Sequence, residues 1–127
     1  MKPIVIIDDN PDDTFFLRRL LLQSGVLNPI ITFQTGREAT SGMDGLAQSA
    51  DSSNIPQVVL CDLYMPGMRG TEVLHWVRSH PKLRDVRFIM VTGIEDEEAA
   101  KQCLASGPHT LLKKFPSSAD LAAAVRG

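Results

Sequence analysis

Five side chains in this sequence could act together on a phosphoryl group: Asp8, Asp9, Asp62, Thr92 and Lys114. Three carboxylates, a hydroxyl and an ammonium suit a hard divalent cation and a highly charged oxyanion. Two carboxylates ~4 Å apart repel by about 4 kcal/mol at an effective dielectric of ~20, so three in one place need a cation. Oxygen ligands select Mg²⁺, with Mn²⁺ as a substitute, over zinc. Asp9 and Asp62 are the expected direct ligands, and Asp8 a ligand through water. A carboxylate can also attack phosphorus and form an acyl phosphate, and Asp62 is the candidate nucleophile. Phosphoryl transfer spreads charge over three equatorial oxygens. The cation can meet one, Lys114 a second, and the Thr92 hydroxyl with a backbone N–H beyond Asp62 the third. Gly93 leaves room beside Thr92 for the incoming group.

For this to work, stretches far apart in the chain must converge, and the hydrophobic pattern shows how. Ile4–Ile7 reads as a strand apolar on both faces and ends at Asp8. Val58–Cys61 reads as the third, central strand and ends at Asp62, while Ile30–Phe33 supplies the second. Arg87–Val91 is the fourth strand, ending at Thr92-Gly93, and Thr110–Lys113 the fifth, ending at Lys114. Between them lie helical patterns. Asn10 caps the first helix, with Pro11 at its first position and Asp12 and Asp13 as first-turn charges. Its apolar face is read as Phe16, Leu17, Leu20 and Leu21, and Gly25 stops it. Residues 36 to 50 keep a partial face of Met43, Leu46 and Ala50 in spite of Gly42 and Gly45. A third helix runs from about Thr71 to His80 before Pro81, a fourth from the acidic Glu95–Glu98 turn to Gly107, and Ser117 opens the last with Asp120 as capping partner. Strand–helix alternation, five times over, implies an α/β fold with a doubly wound parallel sheet. In such sheets ligands sit beyond the carboxyl ends of the strands, where the five polar residues fall.

Composition sets the bounds. The 127 residues suit one domain spanning 1–127. The net charge of −2 offers no basic field for nucleic acid. No apolar stretch approaches ~20 residues, so no membrane span is expected. Cys61 and Cys103 make no disulfide framework; Cys61 reads as core filler. A cytoplasmic protein is the expectation.

Four segments, IVIIDDNP, VVLCDLYMPGMRG, IMVTG and LLKKFP, together resemble the receiver domain of two-component response regulators, over nearly the whole chain. The Asp-x-x-Met-Pro-Gly-x-x-Gly run is the most specific of them. The resemblance implies a flavodoxin-like (βα)5 sheet of strand order 2-1-3-4-5. It also implies a phosphoryl group received on Asp62 from the phosphohistidine of a sensor histidine kinase or a histidine phosphotransfer protein. The backbone carbonyl of Tyr64 would complete the metal site. The surface of the fourth helix, fifth strand and fifth helix would be the output face, with homodimerisation through it as a candidate. The Asp-Asp-Asn-Pro-Asp-Asp start, a long segment between strands two and three and the lack of an output domain resemble stand-alone regulators, chemotaxis-like or paired with phytochrome kinases. The last helix reads as short.

The chain also departs from the family pattern. Neither lysine is followed by proline; Lys114 keeps the family spacing from Asp62 and Thr92, whereas Lys113 would need a gap. Leu111 stands where the family often has a switching aromatic. A cis bond, where present, is expected at Phe115–Pro116. Tyr64 and Ile94 carry no carboxylate or amide to orient a water, which implies slow loss of the phosphoryl group. Met65 and Met68 are loop residues with a lesser claim to partner contact. Competing readings fit less well. A haloacid-dehalogenase-like hydrolase wants a second Asp where Tyr64 stands. A nucleotide-binding domain wants a GxxxxGK[ST] or GxGxxG loop after the first strand. A scaffold without phosphoacceptor chemistry has no need of the five residues.

Overall fold

A computed structural model describes residues 1–93, 98, 101, 102, 105 and 107–126. Five strands form one parallel sheet: β1 (Ile4–Ile7), β2 (Ile30–Phe33), β3 (Val58–Cys61), β4 (Arg87–Thr92) and β5 (Thr110–Lys113), in the order β2-β1-β3-β4-β5. This is the flavodoxin-like doubly wound order expected. The helices among the described residues include α1 (Pro11–Gln23), α2 (Gly36–Gln48), α3 (Gly70–Ser79) and a C-terminal helix (Ser118–Arg126). Of the helix expected to open at Glu95, the described residues Glu98, Lys101, Gln102 and Ala105 are helical and exposed. Ile94, Glu95 to Glu97 and Cys103 lie outside the described residues, as does Gly127.

Alternation along the strands divides the core. Val5, Ile7, Val59, Cys61, Phe88 and Met90 face α2 and α3, which contribute Ala39, Met43, Ala47, Val73, Leu74 and Val77. Ile4, Ile6, Val58, Leu60, Ile89 and Val91 face the other way, onto Leu17 and Leu21 of α1 and Leu121, Ala124 and Val125 of the C-terminal helix. Covered on both faces, β1 and β3 are buried at every residue, which is why they read as unbroken apolar runs. β2 and β5 are edge strands and only partly buried.

The ends of α1 are set locally. The Asn10 side chain accepts from the Asp12 and Asp13 N–H groups at 2.9 and 3.4 Å, and Gly25, at φ 87°, turns the chain out. Phe16 is not on the buried face: it is about half exposed, because Leu17 and Leu21, four residues apart, define that face and Phe16 sits ~100° from Leu17. In α2 the buried stripe is Gly36, Ala39, Met43 and Ala47. Leu46 is only partly buried and Ala50, beyond the helix end, is exposed. Gly42 suits its place, since a Cβ there would run into the Phe33 ring. The polar segment before β3 makes a short 3₁₀ turn at Ser52–Asn54 capped by Asp51. No helix among the described residues is long and apolar enough to cross a membrane.

Candidate functional site

The carboxyl ends of β1, β3, β4 and β5 bring the expected residues to one edge of the sheet. The Asp62 N–H donates to the Ile7 carbonyl at 2.9 Å, so Asp62 leaves β3 locked to β1. Asp8 is tied by its own N–H to the Phe33 carbonyl at 3.1 Å and through Oδ1 to the Asn10 N–H at 2.9 Å. Carboxylate oxygens of Asp8, Asp9 and Asp62 lie within 4.8 Å of one another. Asp8 and Asp62 are buried and Asp9 is exposed. Thr92 closes β4 and is buried, with its neighbours on β3 and β5 carrying Asp62 and Lys114 at their ends.

Lys114 is the lysine that enters the site. Its Nζ lies 2.8 Å from Asp8 Oδ2 and 3.3 Å from Asp62 Oδ2, while Lys113 is exposed. Adjacent residues leaving a strand point to opposite faces, so only one of the two can reach. The Lys114 N–H bonds the Thr92 carbonyl at 3.0 Å, extending the ladder by one residue. The Lys114–Phe115 bond is cis, one residue ahead of the Phe115–Pro116 bond named from the sequence.

A third carboxylate also reaches this ammonium. Asp13 Oδ2 is 2.7 Å from Lys114 Nζ, the shortest of the three contacts. Residue type and position marked Asp13 as a helix N-terminal charge, and so does the Asn10 cap. What the sequence did not display is that α1 and the C-terminal helix share a face of the sheet, which sets the first turn of α1 beside the end of β5.

The electrostatics follow from this crowding. Burial, and then the charge of Asp8, raise the Asp62 carboxyl above the ordinary carboxylate range; Lys114 and the Tyr64 N–H pull the other way. Burial by itself would lower the Lys114 ammonium, but Asp13, Asp8 and Asp62 together drive it upward, so it stays charged. Asp8 Oδ2 is buried and accepts no hydrogen bond among the described residues, since the Lys114 Nζ approach is an ion-pair contact without hydrogen-bond geometry. Asp8, Asp9 and Asp62, with Asp13 close by, carry more negative charge than the single Lys114 ammonium offsets, which fits a cation. Oxygens within 4.8 Å of one another are near enough to serve one small divalent ion, directly or through a bound water.

The loop after Asp62 is held by α3. The Gly70 N–H donates to the Leu63 carbonyl at 2.9 Å. A Cβ on Gly70 would collide with the Asp62 carbonyl and lie 3.0 Å from Leu63 Cα. Tyr64 is exposed, with the Arg69 guanidinium 5.8 Å from its ring centre. Met65 is buried and Met68 packs on the same core, so Met65 is a core residue and not a surface for a partner.

A protein-family model, the response regulator receiver domain, matches residues 4–126, and the chain belongs to that family. Receiver domains are signalling modules of two-component systems. Among curated relatives, the chain is 32% identical over 89 residues to the sensor histidine kinase CheAY of Helicobacter pylori, covering 70% of this chain and 10% of that protein. It is 31% identical over 117 residues to the C4-dicarboxylate transport transcriptional regulatory protein DctD of Pseudomonas aeruginosa, covering 91% of this chain and 23% of that one. The chain thus spans well under half the length of both. Among solved structures it is similar to the bacteriophytochrome response regulator AtBRR, at 25% identity and a TM-score of 0.82 over 99% of this chain and 91% of that one. The bacteriophytochrome response regulator RtBRR gives 26% and 0.83 over 99% and 76%.

Proposed function

We propose that this chain is a phosphoacceptor of a two-component phosphorelay, taking a phosphoryl group onto Asp62 from the phosphohistidine of a sensor histidine kinase or a histidine phosphotransfer protein. The observation that carries this is what converges on the Asp62 carboxylate: oxygens of Asp8 and Asp9, all three within 4.8 Å of one another, and the Lys114 ammonium 3.3 Å away. An Asp62 oxygen attacks phosphorus, the N–P bond to the donor imidazole breaks, and the leaving ring nitrogen keeps the electron pair. Asp9, Asp62 and the Tyr64 carbonyl would hold Mg²⁺, with Asp8 through water. Mg²⁺, replaceable by Mn²⁺, supplies neutralisation of the charge on the phosphoryl oxygens. Lys114, fixed by anions and fully charged, donates to a second oxygen. The Thr92 hydroxyl and a backbone N–H after Asp62 serve the third.

The acyl phosphate would then bias two arrangements of the domain and change its affinity for partners. Tyr64 offers no carboxylate or amide to aim a water at phosphorus, so hydrolysis is slow, over hours and not seconds. A cytoplasmic location fits both the chemistry of the donor and the family. Incubation with Mg²⁺ and phosphoramidate tests the proposal: intact mass spectrometry should show one added phosphoryl group, absent in Asp62→Asn. Turnover of the donor with no retained adduct would favour a hydrolase instead.

A further inference from the structure

Lys114 has one more partner than phosphoacceptor chemistry asks for. An ammonium has three N–H donors, and three carboxylates surround this one, at 2.7 Å (Asp13), 2.8 Å (Asp8) and 3.3 Å (Asp62). The closest belongs to Asp13, which is not in the cation-binding cluster of Asp8, Asp9 and Asp62. Asp13 is held in place by its backbone: its N–H bonds the Asn10 side chain on the capped first turn of α1. Its side chain is mostly buried at 21% exposure, and the Lys114 side chain more so at 11%. A charged pair this far out of water is worth more than a surface pair.

The three contacts are not equivalent once the site is loaded. A cation on the Asp8, Asp9 and Asp62 oxygens draws their charge away from Lys114. An incoming phosphoryl oxygen arrives from the side of Asp62, the longest contact. Asp13 is the one anion whose hold on the ammonium neither event removes.

We propose that Asp13 is a positioning residue: its carboxylate anchors Lys114 Nζ to the first turn of α1 and directs a remaining N–H at the phosphoryl oxygen on Asp62. This rests on the phosphoacceptor reading above. The plainer role, a helix N-terminal charge, is already filled by Asp12, which is exposed in the same turn. Asp12→Asn therefore serves as the control that removes equal charge from the helix end.

Calorimetry with beryllofluoride, which mimics the phosphoryl group on Asp62, separates the two roles. At saturating Mg²⁺, Asp13→Ala should bind beryllofluoride about tenfold more weakly than the unmodified chain, the scale of one lost charge-assisted hydrogen bond. Asp13→Asn, which retains an oxygen acceptor, should fall between, and Asp12→Asn should match the unmodified chain. Mg²⁺ affinity measured alone should change by no more than about threefold in Asp13→Ala, since Asp13 is not a ligand. Equal binding by Asp13→Ala and the unmodified chain overturns the inference, and so does an equal loss in Asp12→Asn. Failure of the unmodified chain to bind beryllofluoride at all overturns the phosphoacceptor reading, and the inference with it.

Discussion

Gly70→Ala should destabilise the chain although alanine is the better helix former. Gly70 is the first residue of α3, and its backbone lies against Asp62 and Leu63. A Cβ there meets three groups: the Asp62 carbonyl oxygen, in direct collision, and the Leu63 Cα and Met90 Sδ, each at 3.0 Å. The methionine sulfur can swing aside. The other two are backbone, and relieving them means moving α3 away from residues 62 and 63 or moving those residues. Overpacking of this kind costs about 1–3 kcal/mol, and the propensity gain returns less than ~1 kcal/mol. The net loss should be about 1–2 kcal/mol, or a drop of about 4–8 °C in Tm for a chain of this size. Gly45→Ala is the matched control: Gly45 is an exposed position of α2 with nothing within 4 Å of a new Cβ. That change should raise Tm by up to ~4 °C. Thermal melts followed by circular dichroism read both. A Gly70→Ala chain that melts at or above the unmodified one would refute the claim that α3 is seated hard against the loop after Asp62. Because the displaced atoms belong to residues 62 and 63, phosphorylation by phosphoramidate should slow in the same variant and not in Gly45→Ala.

Three further outcomes follow from the same geometry. Lys114→Ala should slow phosphorylation from phosphoramidate at least ~100-fold, while Lys113→Ala, exposed and outside the site, should leave the rate unchanged. Mg²⁺ at ~100 times its Kd should stabilise the chain by about 2.7 kcal/mol in thermal melts, and Asp9→Asn should abolish most of that gain. His109 supplies a pH test: its Nδ1 accepts the Phe88 N–H at 3.0 Å, and burial, then Arg78 and Arg87, hold its imidazole below the usual value of 6.5. The neutral ring is therefore the one that fits the fold. In the window from 6.5 down to the lowered value, the unfolded chain binds the extra proton and the folded chain does not. Stability present above 6.5 is lost as pH falls through that window. Urea melts between pH 7.5 and 5 should show this slope, and His109→Asn, which keeps an acceptor without titrating there, should flatten it.

The chain announced its sheet more openly than its helices. Ile4–Ile7 and Val58–Cys61 are apolar at every position because helices cover both faces, and that burial leaves little room for another reading. Asp8, Asp62, Thr92 and Lys114 stand at strand ends, and the choice of Lys114 over Lys113 comes from the family spacing that the resemblance supplies, with Lys114 Nζ found 3.3 Å from Asp62. Helix faces were harder. Phe16 and Leu46 are apolar yet sit at the margin of their stripes, and the stripe of α2 runs through Gly36 and Ala39, residues whose small size fits close packing and carries no hydrophobic signal. Met65 looked like a loop residue but is tucked into the core, a fact set by the path of the loop and not by its composition. Asp13 was hidden for a different reason. Its partner is 101 residues away, and their meeting depends on which side of the sheet α1 packs.

Reductive trapping is the most direct test of the central claim, that Asp62 is the phosphoryl acceptor. After incubation with Mg²⁺ and phosphoramidate, borohydride reduces an aspartyl phosphate to homoserine, and peptide mass mapping locates the change. Homoserine is expected at position 62 and at no other aspartate, with Asp8, Asp9 and Asp13 unaltered. Reduction at another carboxylate, or an unmodified Asp62 in a chain that carries the phosphoryl group, would contradict it.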